Sequence, residues 1–526
     1  MSQLPNSTPT PSPSKAGSGK SRVVRNVFSN WGSYAVAMGV NFFLSPYVVH
    51  HLGNTGYGMW TLILSLTGYL GLLDLGIRGA VTRYIAKFHT QGDHSNASQM
   101  ASSAMVIFGT AGIIAIAASF IFALYVIHRF PIPVQYLIAA RVVVMLTGLS
   151  VATSLVNGVF GGALVGLQRF DLTNSIEVGI NFLRAATIVL VLHLGFGVVA
   201  LACIQLAFTL TRWFANMALA HFLYPELKIR LSLARRAGVM LILSYSVFSF
   251  LLQISSSLIY LSDNMVIGAY ASVALVTFYA IGGNLIEYTR TVVTSISQTM
   301  TPLTSSIEAE NDQERLRRAV LLGGAAGTMV MLPIAVTFML RGASFIGLWM
   351  GPQYTQLSGK VLWVLSLTLL FWAANAVTAG SLLGVSKHKW LVPATAVEGI
   401  CNLALSIHWV KTMGIVGVAW GTVVPSVASH ALFWPWYIRR SFGIRPLTYI
   451  SSVWVRPAIA ILPFAAGSYA VERYAHPAHL LVFFLQVALV LPLAAIGYWL
   501  VCLDRPQRES CSRQFSQSFE RVFVRG

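Results

Sequence analysis

The chain has 526 residues, of which 56% are hydrophobic and 10% are charged, and its formal net charge at pH 7 is +19. A soluble domain carries about 25% charged residues because its surface must face water, so this composition excludes a soluble globular protein. The mean hydropathy of +0.69 predicts an all-α integral membrane protein with room for about a dozen or slightly more spans of about 20 residues.

The N-terminal segment 1–22 is rich in Ser, Pro, Thr and Gly and lacks the apolar stretch of a signal peptide. We interpret it as a disordered cytoplasmic tail. The string Ala16–Ser21 resembles part of a phosphate-binding loop, but the first glycine of such a loop and the strand before it are both missing. The sequence therefore gives no support for nucleotide binding.

Apolar runs separated by short polar or Gly/Pro-rich loops predict fourteen membrane spans. Their approximate limits are 27–51, 57–82, 101–128, 136–166, 172–194, 196–224, 237–262, 265–302, 319–340, 358–385, 390–412, 414–438, 449–471 and 479–502. The predicted domains are the tail 1–22, an N-terminal six-helix lobe over 23–226, a C-terminal six-helix lobe over 237–440, two additional helices over 446–503 and a cytoplasmic tail over 504–526.

The Lys and Arg residues lie mainly on one side of this topology. Of the 35 in the chain, those in predicted loops on the opposite side are Arg129, Arg341, Lys360, Lys411 and Arg473. The positive-inside rule then places both termini in the cytoplasm, as an even number of spans requires. The net positive charge is therefore a topological signal with some attraction to anionic lipid, and does not indicate nucleic-acid binding.

Short motifs of the first six spans recur in the next six at a nearly constant spacing. The pairs are Leu44–Val49 with Leu261–Val266, Gly162–Gly166 with Gly380–Gly384, Ile176-Glu177 with Val397-Glu398, and Gly197–Ala200 with Gly417–Trp420. An offset of six spans gives both halves the same orientation, which predicts two parallel-related lobes about an axis along the membrane normal. We expect spans 1, 2, 7 and 8 to line a cleft between the lobes.

Several ionisable residues lie inside predicted spans, where each costs at least about 2.5–3.5 kcal/mol unless it faces water or a partner. Span 2 carries Asp74 and Arg78, and span 8 carries Glu287 and Arg290. The spacing of each acid and base places both on one helix face. The two pairs either fix helix packing or form a polar path along equivalent helices.

Four further charges complete the set of candidates. Arg184 follows Glu177 by two turns in span 5. Glu398 in span 11 is the repeat equivalent of Glu177. Asp263 lies near the end of span 7. Glu177 and Glu398 either bind a coupling ion or serve as structural hydrogen-bond acceptors near helix starts, and Asp263 is either a coupling residue or simply interfacial.

Motifs of catalysis are missing from the sequence, which contains no HExxH, CxxC, GxSxG or metal-nucleotide DxD pattern. We therefore predict no catalytic residue, no metal site and no cofactor.

Three stretches carry a resemblance to a known family. They are Leu44–Val49 with Leu52-Gly53 and Gly56-Tyr57-Gly58, then Gly71–Ile77 with Thr82-Arg83-Tyr84, and Gly347–Tyr354. These stretches resemble the polysaccharide-biosynthesis flippases of the multidrug/oligosaccharidyl-lipid/polysaccharide exporter superfamily.

The resemblance implies a bacterial inner-membrane flippase that moves undecaprenyl-diphosphate-linked oligosaccharide outward by alternating access, for O-antigen, capsule or exopolysaccharide assembly. Its partners would be this cargo, membrane lipid and polysaccharide assembly proteins. Substrate-binding candidates are then Arg78, Arg290, Asp74, Glu287 and Arg184, and ion-coupling candidates are Glu177, Glu398 and Asp263. An arginine can hold a phosphate by charge-assisted hydrogen bonds.

Three alternatives stay open. An ion-coupled multidrug exporter of the same superfamily would share the fold, and so would a flippase for a lipid-linked peptidoglycan precursor. A membrane-embedded polysaccharide polymerase or ligase is also polytopic, but such enzymes carry a large external loop that this chain lacks.

Overall fold

The computed structural model describes residues 16–503 and Arg508, with side chains described from residue 32 onward except at 245 and 248. Within this range the regular secondary structure is helical, and the principal helices are Ala16–Gly68, Ile77–Thr90, His94–Ile121, Val134–Gly166, Phe170–His193, Val198–Leu223, Arg236–Tyr260, Ser262–Tyr270, Val273–Ala309, Gln313–Met350, Leu357–Gly384, Leu391–Ala428, Trp434–Phe442, Pro446–Ile450, Arg456–Ala460, Leu462–Tyr474 and Leu480–Val501. Apart from Arg508, the predicted tail 504–526 lies outside the described residues.

The helices account for all fourteen predicted spans. Ten described segments are long and apolar enough to cross a membrane, and the bent helix Arg236–Tyr260 is an eleventh candidate. Two of the ten segments, Gly32–Thr90 and Leu391–Phe442, each contain two spans. Helix Val273–Ala309 provides the remaining one. The prediction of an all-α protein with about fourteen transmembrane helices is confirmed.

Glycines break the long helical segments. Gly53 separates span 1 from span 2 with a φ of 66°, and Gly414 separates span 11 from span 12 with a φ of 61°. Only glycine adopts this left-handed region without a steric penalty. Span 2 is broken again after the turn Tyr69–Asp74, where Gly76 has a φ of 74°. We call the side of the Gly53 break the outer side and the opposite side the inner side.

Two sequence-based boundaries differ from the structure. The first helix begins at Ala16, so the tail predicted to be disordered over 1–22 overlaps a helix over residues 16–22, and residues 1–15 lie outside the described part. Span 8 begins at Val273 instead of 265, because Ser262–Tyr270 continues span 7. The hydroxyl of Ser272 accepts a 3.2 Å hydrogen bond from the backbone N–H of Leu275 and caps the new helix.

Each half of the molecule packs its helices in the same way. In the N-terminal half, span 4 is central and contacts spans 2, 3 and 6, while span 1 packs against span 5. In the C-terminal half, span 10 is central and contacts spans 8, 9 and 12, while span 7 packs against span 11. This correspondence confirms two parallel-related six-helix lobes, here called the N lobe and the C lobe. The exact residue limits of the lobes stay predictions.

The repeated Gly-x-x-x-Gly motifs explain why spans 4 and 10 are central. A Cβ added at Gly166 would lie 2.9 Å from the carbonyl oxygen of Thr82 in span 2. A Cβ added at Gly380 would lie 2.2 Å from the carbonyl oxygen of Ser297 in span 8. Because small residues four apart let helix backbones approach closely, the sequence repeat has a packing cause that is the same in both lobes.

Spans 13 and 14 attach to the C lobe through a buried ion pair. Arg341 of span 9 is 1% exposed, and its Nε donates to Glu472 of span 13 at 3.0 Å. Its Nη2 donates to Gln486 of span 14 at 2.5 Å, and its guanidinium lies 4.5 Å from the ring centre of Phe483. The sequence placed Arg341 at the outer boundary of span 9, but the helix continues to Met350 and carries this arginine inside.

Candidate functional site

A polar cavity of about 230 Å³ lies between the two lobes. Spans 1, 2, 5 and 6 of the N lobe and span 8 of the C lobe form its wall, and its polar lining residues are Asn41, Ser45, Tyr57, Arg184, Gln205, Asn284 and Tyr288. We call this space the central cavity. Spans 1, 2 and 8 line it as predicted, whereas span 7 lines a different cavity inside the C lobe.

Arg184 supplies the positive charge in the described lining of the central cavity. Its Nη1 donates to Oε1 of Gln205 at 3.3 Å. Among the described residues, no carboxylate oxygen lies within 4.0 Å of this guanidinium. A guanidinium has five N–H donors, so most of them are free for a ligand. Arg184 is therefore placed to contact an anionic group.

Span 8 connects the central cavity to two other spaces. Asn284 donates to the hydroxyl of Tyr57 at 3.3 Å and also lines a second cavity inside the C lobe. Tyr288, one helical turn further, has its hydroxyl 3.5 Å from Oγ of Ser45 and also lines an apolar groove. The three spaces therefore adjoin along one face of span 8.

The apolar groove has a volume of about 560 Å³ and lies between spans 1, 8, 9 and 14. Its aromatic lining residues, besides Tyr288, are Phe42, Phe43, Phe338, Phe345, Phe483 and Phe484. Phe43 is 75% exposed and Phe484 is 48% exposed, so the groove opens to the surroundings of the protein. Walls of this composition suit a hydrocarbon chain.

The second cavity, of about 90 Å³, contains the predicted pair of Glu287 and Arg290. Nη1 of Arg290 lies 2.8 Å from Oε1 of Glu287, and the two side chains are 9% and 54% exposed, respectively. Arg290 also donates to Thr368 at 3.3 Å, and its guanidinium lies 5.0 Å from the ring centre of Tyr260. Arg290 is thus packed within the C lobe, and Glu287 is the accessible member of the pair.

Asp263 also lines the second cavity, as a buried carboxylate among neutral oxygen atoms. It accepts hydrogen bonds from the hydroxyls of Tyr279, of Thr422 at 2.7 Å and of Ser406 at 3.5 Å. Asn402 donates to Thr422 at 2.9 Å and completes this Asp263 cluster. Among the described residues, no Lys, Arg or His nitrogen lies within 4.0 Å of the carboxylate. An isolated carboxylate is costly to bury, and here hydroxyl donors surround it in place of a counter-charge.

Asp74 and Arg78 flank the break in span 2. Nη2 of Arg78 lies 3.4 Å from Oδ2 of Asp74, and the arginine and aspartate side chains are 52% and 25% exposed. Both residues lie outside the described lining of the central cavity. The five predicted substrate-binding residues therefore occupy three places, and Arg184 alone faces the central cavity.

Glu177 and Glu398 occupy repeat-related positions but have different partners. Oε2 of Glu177 lies 2.8 Å from Nη2 of Arg212, so an ion pair balances its charge. Glu398 is 9% exposed and lies beside Ser426 and Ser429, and no Lys, Arg or His nitrogen of the described residues lies within 4.0 Å of its carboxylate. Of the two glutamates, only Glu398 is a buried acid with neutral partners among the described residues.

Most polar residues that complete these sites escaped the sequence analysis, namely Gln205, Asn284, Tyr288, Asn402, Ser406 and Thr422. Each is a neutral residue, so neither its charge nor its hydropathy distinguishes it. A signal was present in span 8, where Asn284, Glu287 and Tyr288 follow the spacing of one helix face.

Twelve spans in two related lobes, two further spans attached to the C lobe and a polar cavity between the lobes define a polytopic membrane transporter. Residues 23–308 match the family described as polysaccharide biosynthesis protein. Because this match spans more than half of the chain, the protein belongs to that family, as its sequence resemblance implied.

Two relatives extend the comparison over most of the chain. A Shigella flexneri protein described as an O-antigen transporter is 21% identical over 408 residues, which cover 76% of this chain and 93% of the relative. A Haloferax volcanii protein named a probable flippase, AglR, is 21% identical over 490 residues, which cover 91% of this chain and 95% of the relative.

Solved structures support the fold. The lipid II flippase MurJ in an inward closed conformation aligns with a TM-score of 0.71 at 13% identity, and the alignment covers 91% of this chain and 98% of MurJ. An inward-facing multidrug resistance transporter of the MATE family aligns with a TM-score of 0.64 at 17% identity, and the alignment covers 78% of this chain and 94% of that transporter. At these identities the likeness establishes the shared fold.

Proposed function

We propose that the protein is a flippase that moves undecaprenyl-diphosphate-linked oligosaccharide from the cytoplasmic to the outer leaflet of a bacterial inner membrane, for surface polysaccharide assembly. The observation that carries this proposal is that Tyr288 joins the central cavity, which contains Arg184, to the apolar groove. A lipid-linked oligosaccharide has the same two parts, a polar head and a long hydrocarbon tail. Membership of the polysaccharide biosynthesis family supports the same cargo class.

The diphosphate is the part of the cargo that cannot cross hydrocarbon unaided, since an isolated ion there costs tens of kcal/mol on a continuum estimate. We assign its recognition to Arg184, whose planar guanidinium can donate two parallel hydrogen bonds to phosphate. The side-chain amides of Asn41 and Asn284 line the same cavity and can bind sugar hydroxyls. Moving the cargo forms and breaks no covalent bond, so the proposed activity is transport.

The polyprenyl tail would remain in the apolar groove while the head crosses. The groove is contiguous with the central cavity at Tyr288 and opens to the surroundings at Phe43. A tail in this position keeps its hydrocarbon out of water, whereas the head exchanges its hydration shell for polar side chains. The two ends of the cargo are therefore accommodated at the same time.

Energy for directed movement would come from an ion gradient or from consumption of the product outside, since the sequence lacks a nucleotide-binding motif. We assign ion coupling to the Asp263 cluster, where an uncompensated carboxylate and several neutral oxygens suit a proton or Na⁺. Glu398 is the second candidate because its partners are neutral. Glu177 is the weakest of the three, since Arg212 already balances its charge.

The fold likeness to a MATE transporter makes an ion-coupled multidrug exporter the second candidate function. A cavity for cationic drugs would benefit from an uncompensated acid, whereas the charged residue in the described lining of the central cavity is an arginine. That arginine favours an anionic cargo over a cationic drug.

The test is deletion of the gene from a strain that makes a surface polysaccharide. We expect lipid-linked oligosaccharide to accumulate on the inner leaflet and the surface polymer to disappear, with both effects reversed by the intact gene but not by an empty vector. Normal polymer together with increased drug sensitivity would favour the exporter instead.

A further inference from the structure

Two of the motifs that carry the family resemblance, far apart in sequence, meet at the outer ends of the lobes. The first, Leu52–Gly58, joins spans 1 and 2 of the N lobe, and the second, Gly347–Tyr354, joins spans 9 and 10 of the C lobe. Apart from Tyr57, which lines the central cavity, the residues of these motifs lie outside the proposed cargo and ion sites. Their contacts with each other suggest a different role.

Asn54 makes two hydrogen bonds that cross from one lobe to the other. Its side-chain oxygen accepts from the hydroxyl of Tyr354 at 2.5 Å, and its backbone oxygen accepts from Oγ1 of Thr277 in span 8 at 2.6 Å. Tyr354 is 3% exposed, and its ring lies 5.1 Å from that of Phe278. Both bonds of Asn54 thus lie in a closely packed contact between the lobes.

Gly58 allows the lobes to approach this closely. A Cβ at this position would lie 2.0 Å from the carbonyl oxygen of Val273 and 3.1 Å from Oγ1 of Thr277. No side chain fits at such a distance from backbone, so closure at this point requires glycine in Gly56-Tyr57-Gly58.

A second contact joins span 1 to the outer end of span 9. Nε1 of Trp349 donates to the backbone oxygen of Phe42 at 3.0 Å, and the two rings stack with their centres 4.8 Å apart. Span 1 is thereby held against span 9 as well. Two separate contacts therefore join the two lobes.

We propose that Asn54, Gly58, Thr277 and Tyr354 form an outer gate, whose hydrogen bonds hold the lobes together on the outer side and break when the transporter opens outward. This proposal rests on the proposed function because it requires a transporter that opens outward, but it does not depend on the identity of the cargo. Removing one hydrogen bond from the closed state should shift the ratio of open to closed molecules by about 2- to 10-fold, the range for a single neutral hydrogen bond.

The experiment measures the distance between two spin labels on the full-length protein in lipid nanodiscs without cargo. Cys203, Cys401, Cys502 and Cys511 are replaced by serine, and labels are attached at Val134→Cys and Met413→Cys, which are 87% and 49% exposed at the outer ends of the N and C lobes. The gate variants are Tyr354→Phe, which removes one hydroxyl, and Asn54→Ala. The matched control is Tyr474→Phe, at a tyrosine that is 86% exposed.

We expect both gate variants to gain a population with a longer distance between the labels, whereas the control retains the distribution of the parent. Unchanged distributions in variants that remain helical and monodisperse would overturn the gate. Because no cargo is present, that result would leave the flippase proposal standing. Conversely, normal polymer in the deletion strain would remove the cargo assignment without affecting the measured distances.

Discussion

Oγ1 of Thr422 lies 2.7 Å from Oδ2 of Asp263, so span 12 holds a hydroxyl against the buried carboxylate of span 7. Spans 8 and 11 complete the cluster with the hydroxyls of Tyr279 and Ser406. Four helices of the C lobe therefore meet at one buried carboxyl group. A change in the occupancy of this site would alter their relative packing, which is the property that coupling to lobe movement requires.

Asp263→Asn should retain the fold but abolish the dependence of transport on the ion gradient, because the amide keeps the shape of the carboxylate without its charge. Thr422→Val should weaken this dependence, and Thr422→Ser should restore it. The matched control is Thr328→Val, since Thr328 is also buried but bonds only to Gly324 of its own helix. The measurement is the transport rate in vesicles with and without imposed Na⁺ and proton gradients. Unchanged gradient dependence in Asp263→Asn would contradict the assignment.

Arg184→Ala should reduce transport of a diphosphate-linked cargo by about 100-fold or more, since a hydrogen bond to a charged group contributes about 1.5–3 kcal/mol and the guanidinium can make two. Arg184→Lys should rescue poorly, because an ammonium lacks the planar fork. Arg473→Ala, at an exposed arginine on the outer side, serves as the control. Equal activity of the lysine variant and the parent would indicate that charge alone matters at this position.

Glu287 and Arg290 should respond asymmetrically to substitution, because their exposures differ. Glu287→Gln leaves a buried guanidinium without its counter-charge, which is destabilising, but the cost stays below the roughly 3–5 kcal/mol of a fully buried pair because Glu287 is half exposed. Arg290→Met leaves an accessible carboxylate, which water can solvate. We expect the larger decrease in thermal unfolding temperature for Glu287→Gln, and partial recovery in the double variant. A larger decrease for Arg290→Met would show that the packing of the arginine, and not its charge balance, dominates stability.

Glu177→Gln and Glu398→Gln should separate structural from coupling roles. Glu177→Gln removes the counter-charge of Arg212, so it should lower thermal stability while the pH dependence of transport stays unchanged. Glu398→Gln keeps the shape of the side chain beside Ser426 and Ser429, so the fold should be retained. A shift of the pH profile in Glu398→Gln would add this residue to the coupling path. The same shift in Glu177→Gln would contradict the structural role assigned to Glu177.

Features that depend on local spacing were predictable from the sequence. The pairs Asp74–Arg78 and Glu287–Arg290 form in the structure because residues three or four apart on a helix are neighbours. The number of spans and the repeat were also predictable, since hydropathy and Gly-x-x-x-Gly spacing are patterns of residues that are close together in the sequence. What these local patterns leave open is which pair faces a cavity.

Features that depend on contacts between distant spans were not predictable. Asp263 and Thr422 are 159 positions apart, and Arg341 meets Glu472 across 131 positions. In a single sequence, Thr422 is one hydroxyl in an apolar run, and Arg341 is an arginine near a span boundary. Their partners follow only from the folding of the lobes, which is why the most informative polar residues were recognised in the structure.

The central claim is that the protein moves a lipid diphosphate oligosaccharide across a bilayer. The most direct measurement uses purified protein in vesicles with a labelled polyprenyl-diphosphate oligosaccharide, and follows its exposure on the opposite leaflet with a membrane-impermeant reagent. We predict rapid exchange with the parent protein, and a rate near that of protein-free vesicles with Arg184→Ala. An equal rate in vesicles with and without the parent protein, under every imposed ion gradient, would contradict the account.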